Sequence, residues 1–184
     1  TPDEIDEPLG LAGEHQRQNA ACAVEAAHLL SSSGITIKKI GETLGKTTWP
    51  GRLETVFTDP KEILDAAHNV AGAESLASYV RTNIKKEKAV LILGVLADKD
   101  LPGIVRPLAP LFREIVCVRA PSDRAASPKD LAAAARSSGA KIGINENISD
   151  AIKKLTKSMG KDETLVISGS LTVVGEAKGY FKNK

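Results

Sequence analysis

The chain has 184 residues, with 25 Lys and Arg against 23 Asp and Glu and a formal net charge of +2. The basic residues are scattered rather than striped, which argues against a nucleic-acid partner, and no apolar run approaches the ~20 residues a membrane-spanning helix needs. Aromatic residues make up 3% of the chain, so the core of a domain this long must come from Ala, Val, Ile and Leu, as suits helices packed on a sheet.

From Glu14 to Leu30 the apolar residues are Ala-rich and nearly all-round after Asn19, which predicts a well-buried helix ended by "SSSG". A second helix is predicted over Ile35 to Leu44, with Ile37, Ile40 and Leu44 on one face and Gly45 as its stop. Trp49-Pro50-Gly51 breaks the pattern, and a domain boundary is placed at about residue 48. Beyond it, short apolar runs near 53–57, 62–65, 89–94, 114–118, 141–144 and 164–168 alternate with helical stretches at 70–83, 101–112, 128–137, 149–158 and 171–181. That alternation predicts a wound α/β domain with a largely parallel sheet. The first two runs flank "TDPK", a turn, so one strand should run antiparallel at the sheet edge. Ser127-Pro128-Lys129-Asp130 carries the marks of a helix start.

The two cysteines, Cys22 and Cys117, lie in apolar settings without metal-ligand spacing and are expected to be reduced and buried. The acidic opening "TPDEIDEPLG" has no apolar signal core, and a soluble cytoplasmic protein is expected. "GETLGKTT" at 41–48 imitates a phosphate loop, but the first glycine of that pattern would fall at residue 40, which is Ile. It reads as the end of a helix.

"EILDAAHNVAGAESLASYV" has a better context, a strand followed by a turn and a helix. Asp65 would end the strand, with His68 and Asn69 at the helix N-terminus, where N–H groups and the dipole attract anions and where ligands bind in open α/β sheets. Asp65 or Asn69 could equally cap the helix, with His68 solvated. Arg52 is a surface cation or a phosphate clamp, and "ADKD" at 97–100 is a charged loop or a second ligand-facing edge. Ser170 either caps the last helix or binds a carboxylate. His15 and Asn19 share a helix face, and His28, among Ala and Leu, is expected to be half-buried.

Taken in order, "GEHQRQNAACAV", "WPGRLE", "ILDAAHNVAG", "LGVLADKD" and "SGSLTVVGE" resemble the C-terminal part of folylpolyglutamate synthase and dihydrofolate synthase, of the Mur ligase superfamily. The resemblance implies a Rossmann-like, mostly parallel sheet with an antiparallel edge strand over 49–184, preceded over 1–48 by the helical tail of a central ATPase domain. It implies ATP-dependent joining of L-glutamate to a folate or pteroate carboxylate through an acyl phosphate. Arg52 would contact the phosphates, Asp65 the ribose hydroxyls, and Asn19 the adenine with Gln16 nearby. His68 would lie at the phosphate and incoming amino acid, and Ser170 at the glutamate subsite; Lys99 matches without an assigned role.

The family commonly has Gly and Pro where this chain has Ala66 and Val70, and an aromatic residue at Thr172; losing Gly reduces loop freedom and losing Pro relaxes it, so the residue identities alone do not fix the loop geometry or the tightness of nucleotide contact. No phosphate loop or magnesium-binding acids are found here. By the resemblance, the chain is a monomeric fragment whose Mg2+ ligands belong to a missing N-terminal ATPase domain, and which is inactive alone. The alternatives are another Mur-type ligase, such as one acting on a cell-wall precursor, and a non-catalytic nucleotide-binding module.

Overall fold

The computed structural model describes residues 8–31 and 40–182. The chain divides into two compact units, Thr1–Pro50 and Gly51–Lys184.

In the first unit, α1 spans His15–Ser31 and α2 spans Ile40–Lys46. The start of the predicted second helix, including Ile37, lies outside the described residues. Gly45 does not stop α2, which runs through it to Lys46. A Glu42–Lys46 ion pair of 2.5 Å and the Thr47 hydroxyl donating to the Thr43 carbonyl at 2.8 Å offset the cost of a helical glycine, about 1 kcal/mol. Gly41, Gly45 and Lys46 are therefore helical and form no phosphate cradle.

The burial expected of α1 is not found. Among its described side chains only a stripe four residues apart, Gln16, Ala20 and Val24, is buried, while Leu29 and Leu30 are 67% and 52% exposed. Cys22 and His28 are also exposed, not buried or half-buried as predicted. The physical reason is a shortage of partners among the described residues of the unit, where α2 is seven residues long and buries none of its own side chains.

The second unit is the wound α/β domain that the alternation predicts. Its strands are β1 (Glu54–Thr58), β2 (Lys61–Asp65), β3 (Ala89–Leu93), β4 (Glu114–Val118), β5 (Lys141–Asn145) and β6 (Thr164–Ser168), in the spatial order β1-β2-β6-β3-β4-β5. β1 pairs antiparallel with β2, and the remaining neighbours pair parallel. The helices are α3 (Val70–Asn83), α4 (Leu101–Leu108), α5 (Pro128–Ala135), α6 (Ile148–Ser158) and α7 (Leu171–Lys182).

Two helices end earlier than predicted. After α4 the chain tightens into a 3-10 turn at Ala109–Leu111, because Pro110 has no N–H to continue the ladder. α5 passes into a second 3-10 turn, Arg136–Ser138, stopped by Gly139 at φ 74. Ser127 caps α5 as predicted, accepting the Asp130 N–H at 3.1 Å.

The sheet is buried on both faces. Ile63, Leu91, Leu93 and Val166 pack beneath α3, α4 and α5, whereas Leu64, Val90, Ile92, Leu165 and Ile167 pack beneath α6 and α7. The strands β2, β3 and β4 thus lead into helices on one face, and β5 and β6 into helices on the other. The connections reverse around β6, which lies between β2 and β3, and such reversals open the crevice where ligands bind in this architecture. Among the described residues no helix is long and apolar enough to cross a membrane.

Cys117 lies in β4, and its burial pushes the thiol up from 9.0 to about 11. Because only the thiolate is nucleophilic, a thiol reagent at neutral pH should modify one cysteine of the native chain, Cys22, and both after denaturation. Peptide mapping that finds Cys117 labelled at the rate of Cys22 in the native protein would contradict this packing.

Candidate active site at the carboxyl edge of the sheet

The parallel strands end in one row, in which Asp65 of β2 stands beside Ser168 of β6, and Ser168 beside Leu93 of β3. Residues beyond this row form the crevice. Gly169 must be glycine: its φ is 110, and a Cβ there would lie 2.5 Å from the Gly94 carbonyl oxygen. The β6–α7 loop can therefore cross close over the end of β3.

The turn before β1 is tied to the turn after β2. The Ala66 N–H donates to the Gly51 carbonyl at 2.8 Å, and the Leu53 N–H to Asp65 Oδ2 at 3.0 Å. Asp65 Oδ1 accepts the Ala67 N–H at 3.0 Å. His68 Nδ1 lies 2.8 Å from the Ala66 carbonyl oxygen. Since a carbonyl only accepts, Nδ1 carries the proton, and Nε2 is the ring atom left for a ligand.

Asp65 and His68 are thus joined in one hydrogen-bonded knot with Gly51 and Leu53, the residues on either side of Arg52. Asp65 is only 7% exposed, and the carboxylate is committed to backbone N–H groups rather than to capping α3. Asn69 does the capping, accepting the Gly72 N–H at 2.8 Å. Arg52 is half-buried and makes no ion pair among the described residues.

Ser170, on the adjacent strand's loop, is 2% exposed and caps α7, its Oγ accepting the Val173 N–H at 3.1 Å. Its hydroxyl also meets Thr172 Oγ1 at 3.0 Å, so the residue that departs from the family's aromatic extends the cap. Ala66 needs no glycine freedom, because the one non-glycine residue with positive φ among those described is Leu53. Val70 simply begins α3.

The "ADKD" loop is engaged internally. Lys99 pairs with Asp98 at 3.0 Å, Arg124 reaches Asp98 at 3.8 Å, and Asp100 caps α4 through the Gly103 N–H. The hydrogen bond from Lys99 holds the Asp98 carboxyl below its usual range.

Sequence reading missed Glu54. It accepts the Gly51 N–H at 2.9 Å on Oε2 and Lys178 Nζ at 2.6 Å on Oε1, fastening the Arg52 turn to α7. Its only signal was an acid two residues after Arg52; its partner lies 124 positions away.

In the first unit, Gln16 and Asn19 line a cavity of about 200 Å³ with Leu9, Leu11, Ala20, Ala23, Leu44 and Thr47. The two amides are linked, Asn19 Nδ2 donating to Gln16 Oε1 at 3.0 Å, and Gln16 Nε2 lies 2.9 Å from His15 Nε2. An apolar slot with two oriented amides suits a flat heteroaromatic base. No group of three or more His, Cys, Asp or Glu residues that could hold a metal occurs among the described residues.

Residues 51–171 match the family "Mur ligase, glutamate ligase domain". This chain belongs to the Mur ligase family. It is 31% identical over 175 residues to dihydrofolate synthase/folylpolyglutamate synthase of Bacillus subtilis, covering 94% of this chain and 40% of the relative. The namesake of Mycobacterium tuberculosis is 32% identical over 192 residues, covering 94% and 39%. A solved structure, Mycobacterium tuberculosis folylpolyglutamate synthase complexed with ADP, superposes with a TM-score of 0.82 at 33% identity, over 96% of this chain and 42% of that one. The Mur ligase chain therefore spans about two fifths of the length of these relatives.

Burial alone would raise the Glu54 carboxyl. The hydrogen bonds from Lys178 and Gly51, with the charges of Lys178 and Lys182, instead hold it below its ordinary 4.5. A depressed folded-state pKa contributes stability that is complete above the unfolded value and lost as pH falls through the folded one. Glu54→Gln should therefore cost roughly 1 kcal/mol or less at neutral pH, and less at an acid pH below the ordinary 4.5. Thermal unfolding at both pH values tests this; an equal loss at each would remove the charge from the explanation.

Proposed function

We propose that this chain is the part of an ATP-dependent folate–glutamate ligase that closes over ATP and glutamate while a preceding ATPase domain supplies the phosphate loop and the Mg2+ ligands. The observation that carries this reading is the knot at the end of β2. It presents a half-buried guanidinium that has no counter-ion among the described residues, beside an imidazole whose Nε2 has no partner among them. Relatives named for folate–glutamate ligation favour this substrate class over a cell-wall precursor.

The roles follow from charge and geometry. Phosphoryl transfer depends mainly on positioning and on neutralising charge at the equatorial oxygens. Arg52 supplies that charge to the nucleotide phosphates and the acyl phosphate formed from ATP and the acceptor carboxylate. His68 Nε2 accepts a proton from the glutamate amino group or orients it as it displaces phosphate. Ser170, beside the α7 N-terminus, helps receive the glutamate carboxylate, and Gln16 and Asn19 read the adenine edge. Asp65 is assigned the ribose hydroxyls in this reading. Mg2+ would shield the phosphates when bound, but its ligands are assigned outside this chain. The working protein is taken to be a cytoplasmic monomer whose site is completed by domain closure.

In the full-length ligase, Arg52→Ala should lower kcat by roughly 10²–10³-fold; unchanged turnover would remove Arg52 from the site. The 184 residues alone should show no ATP-dependent glutamate ligation, and robust ligation by them would overturn the divided-site reading.

A further inference from the structure

The turn 51–53 is an unfavourable place to find an ordered arginine. Gly51 has φ 70 and Leu53 φ 48. A left-handed leucine is strained and persists only where its surroundings over-determine it. The surroundings here are specific. The Leu53 side chain is 7% exposed, within the core beneath α3, α4 and α5. Its N–H is taken by Asp65 Oδ2, and the Gly51 carbonyl is taken by the Ala66 N–H. Arg52 lies between two residues that are both fastened to the end of β2.

The same carboxylate reaches the other way, since Asp65 Oδ1 accepts the Ala67 N–H at 3.0 Å, and the Ala66 carbonyl beside it holds the His68 ring. We infer that Asp65 is a positioning residue, a carboxylate clip that sets the turn bearing Arg52 and the turn bearing His68 in one fixed relation. This role is additional to any contact with ribose, and its catalytic consequence rests on the reading of Arg52 as the phosphate clamp.

The chemistry explains why an acid is needed. A carboxylate is an acceptor on both oxygens, and bonds from N–H groups to it are charge-assisted. Asparagine has one acceptor oxygen, and its amide would set a donor against one of the two N–H groups. Asp65→Asn therefore releases one turn without changing the volume of the site.

The test uses the full-length ligase with ATP, 2′-deoxy-ATP and 3′-deoxy-ATP. Asp65→Asn should lower kcat by roughly 10²-fold, the scale of a misplaced catalytic group, with a smaller change in the KM for ATP and the same loss for all three nucleotides. Added to Arg52→Ala, it should cost less than about 3-fold more, because both changes disable one device. Gly51→Ala disturbs the turn from its other side, placing a Cβ 2.9 Å from Val174 Cγ1 at a φ of 70, and should reproduce the kcat loss. A loss confined to ATP and absent with a deoxy nucleotide, or one that multiplies with Arg52→Ala, would overturn the proposal.

Hydrogen exchange separates its failure from that of the parent reading. Amides of Leu53 and Ala67 should be protected in the wild type, and at least one should be exposed in Asp65→Asn. Fast exchange of both in the wild type would sink the clip. A silent Arg52→Ala with increased exchange in Asp65→Asn would keep the clip and discard the phosphate role.

Discussion

The carboxylate of Asp65, accepting one N–H from each side, is the interaction on which the candidate site depends. A sheet positions its strand ends by backbone ladders, but the segment 51–53 precedes β1 and belongs to no ladder. Its location relative to His68 is settled by the two bonds to Asp65 and the Ala66–Gly51 bond. Glu54 and Lys178 then add α7 to the same assembly, so three elements far apart in sequence meet at one turn.

That turn needs the core beneath it. Leu53 can hold its left-handed backbone because its side chain is anchored among residues of α3, α4 and β2, and apolar burial of a leucine, about 1.5–3 kcal/mol, is of the size needed to offset the strain. The row Asp65, Ser168, Leu93 shows how the site grows out of packing. The residues just inside that row are apolar and fully buried, whereas those just beyond it form turns with polar groups. Chemistry occupies the boundary at which the sheet stops being covered.

The two units differ in kind. Gly51–Lys184 has helices on both faces of its sheet, while α1 buries one narrow stripe and leaves most of its Ala-rich surface and two leucines exposed. In the proposed ligase that surface belongs against the ATPase domain, which accounts for a composition that looked like that of a buried helix. Reading burial from composition failed here because burial depends on partners, and the described residues of the first unit supply too few.

Much of this was legible in the sequence, because strands and helices announce themselves through periodicity and punctuation. The six strand positions, the antiparallel pair at the edge and the capping Ser127 follow from local pattern, turn chemistry and the absence of a proline N–H. Arg52, Asp65, His68 and Ser170 were legible as residue types in ordered motifs. Their relations were not. That Asn69 rather than Asp65 caps α3 and that Ser170 serves as a cap were alternatives left open by the residue types and decided by local hydrogen bonds, each three residues long, whereas that Asp65 holds the Arg52 turn is a consequence of strand register and of a hydrogen bond spanning twelve residues. Glu54 lay beyond reach because its partner arrives on the last helix. The sequence alone determined which groups could do chemistry; the tertiary structure decided which of them are spent on holding the others, because a carboxylate's role depends on the donors that folding brings to it.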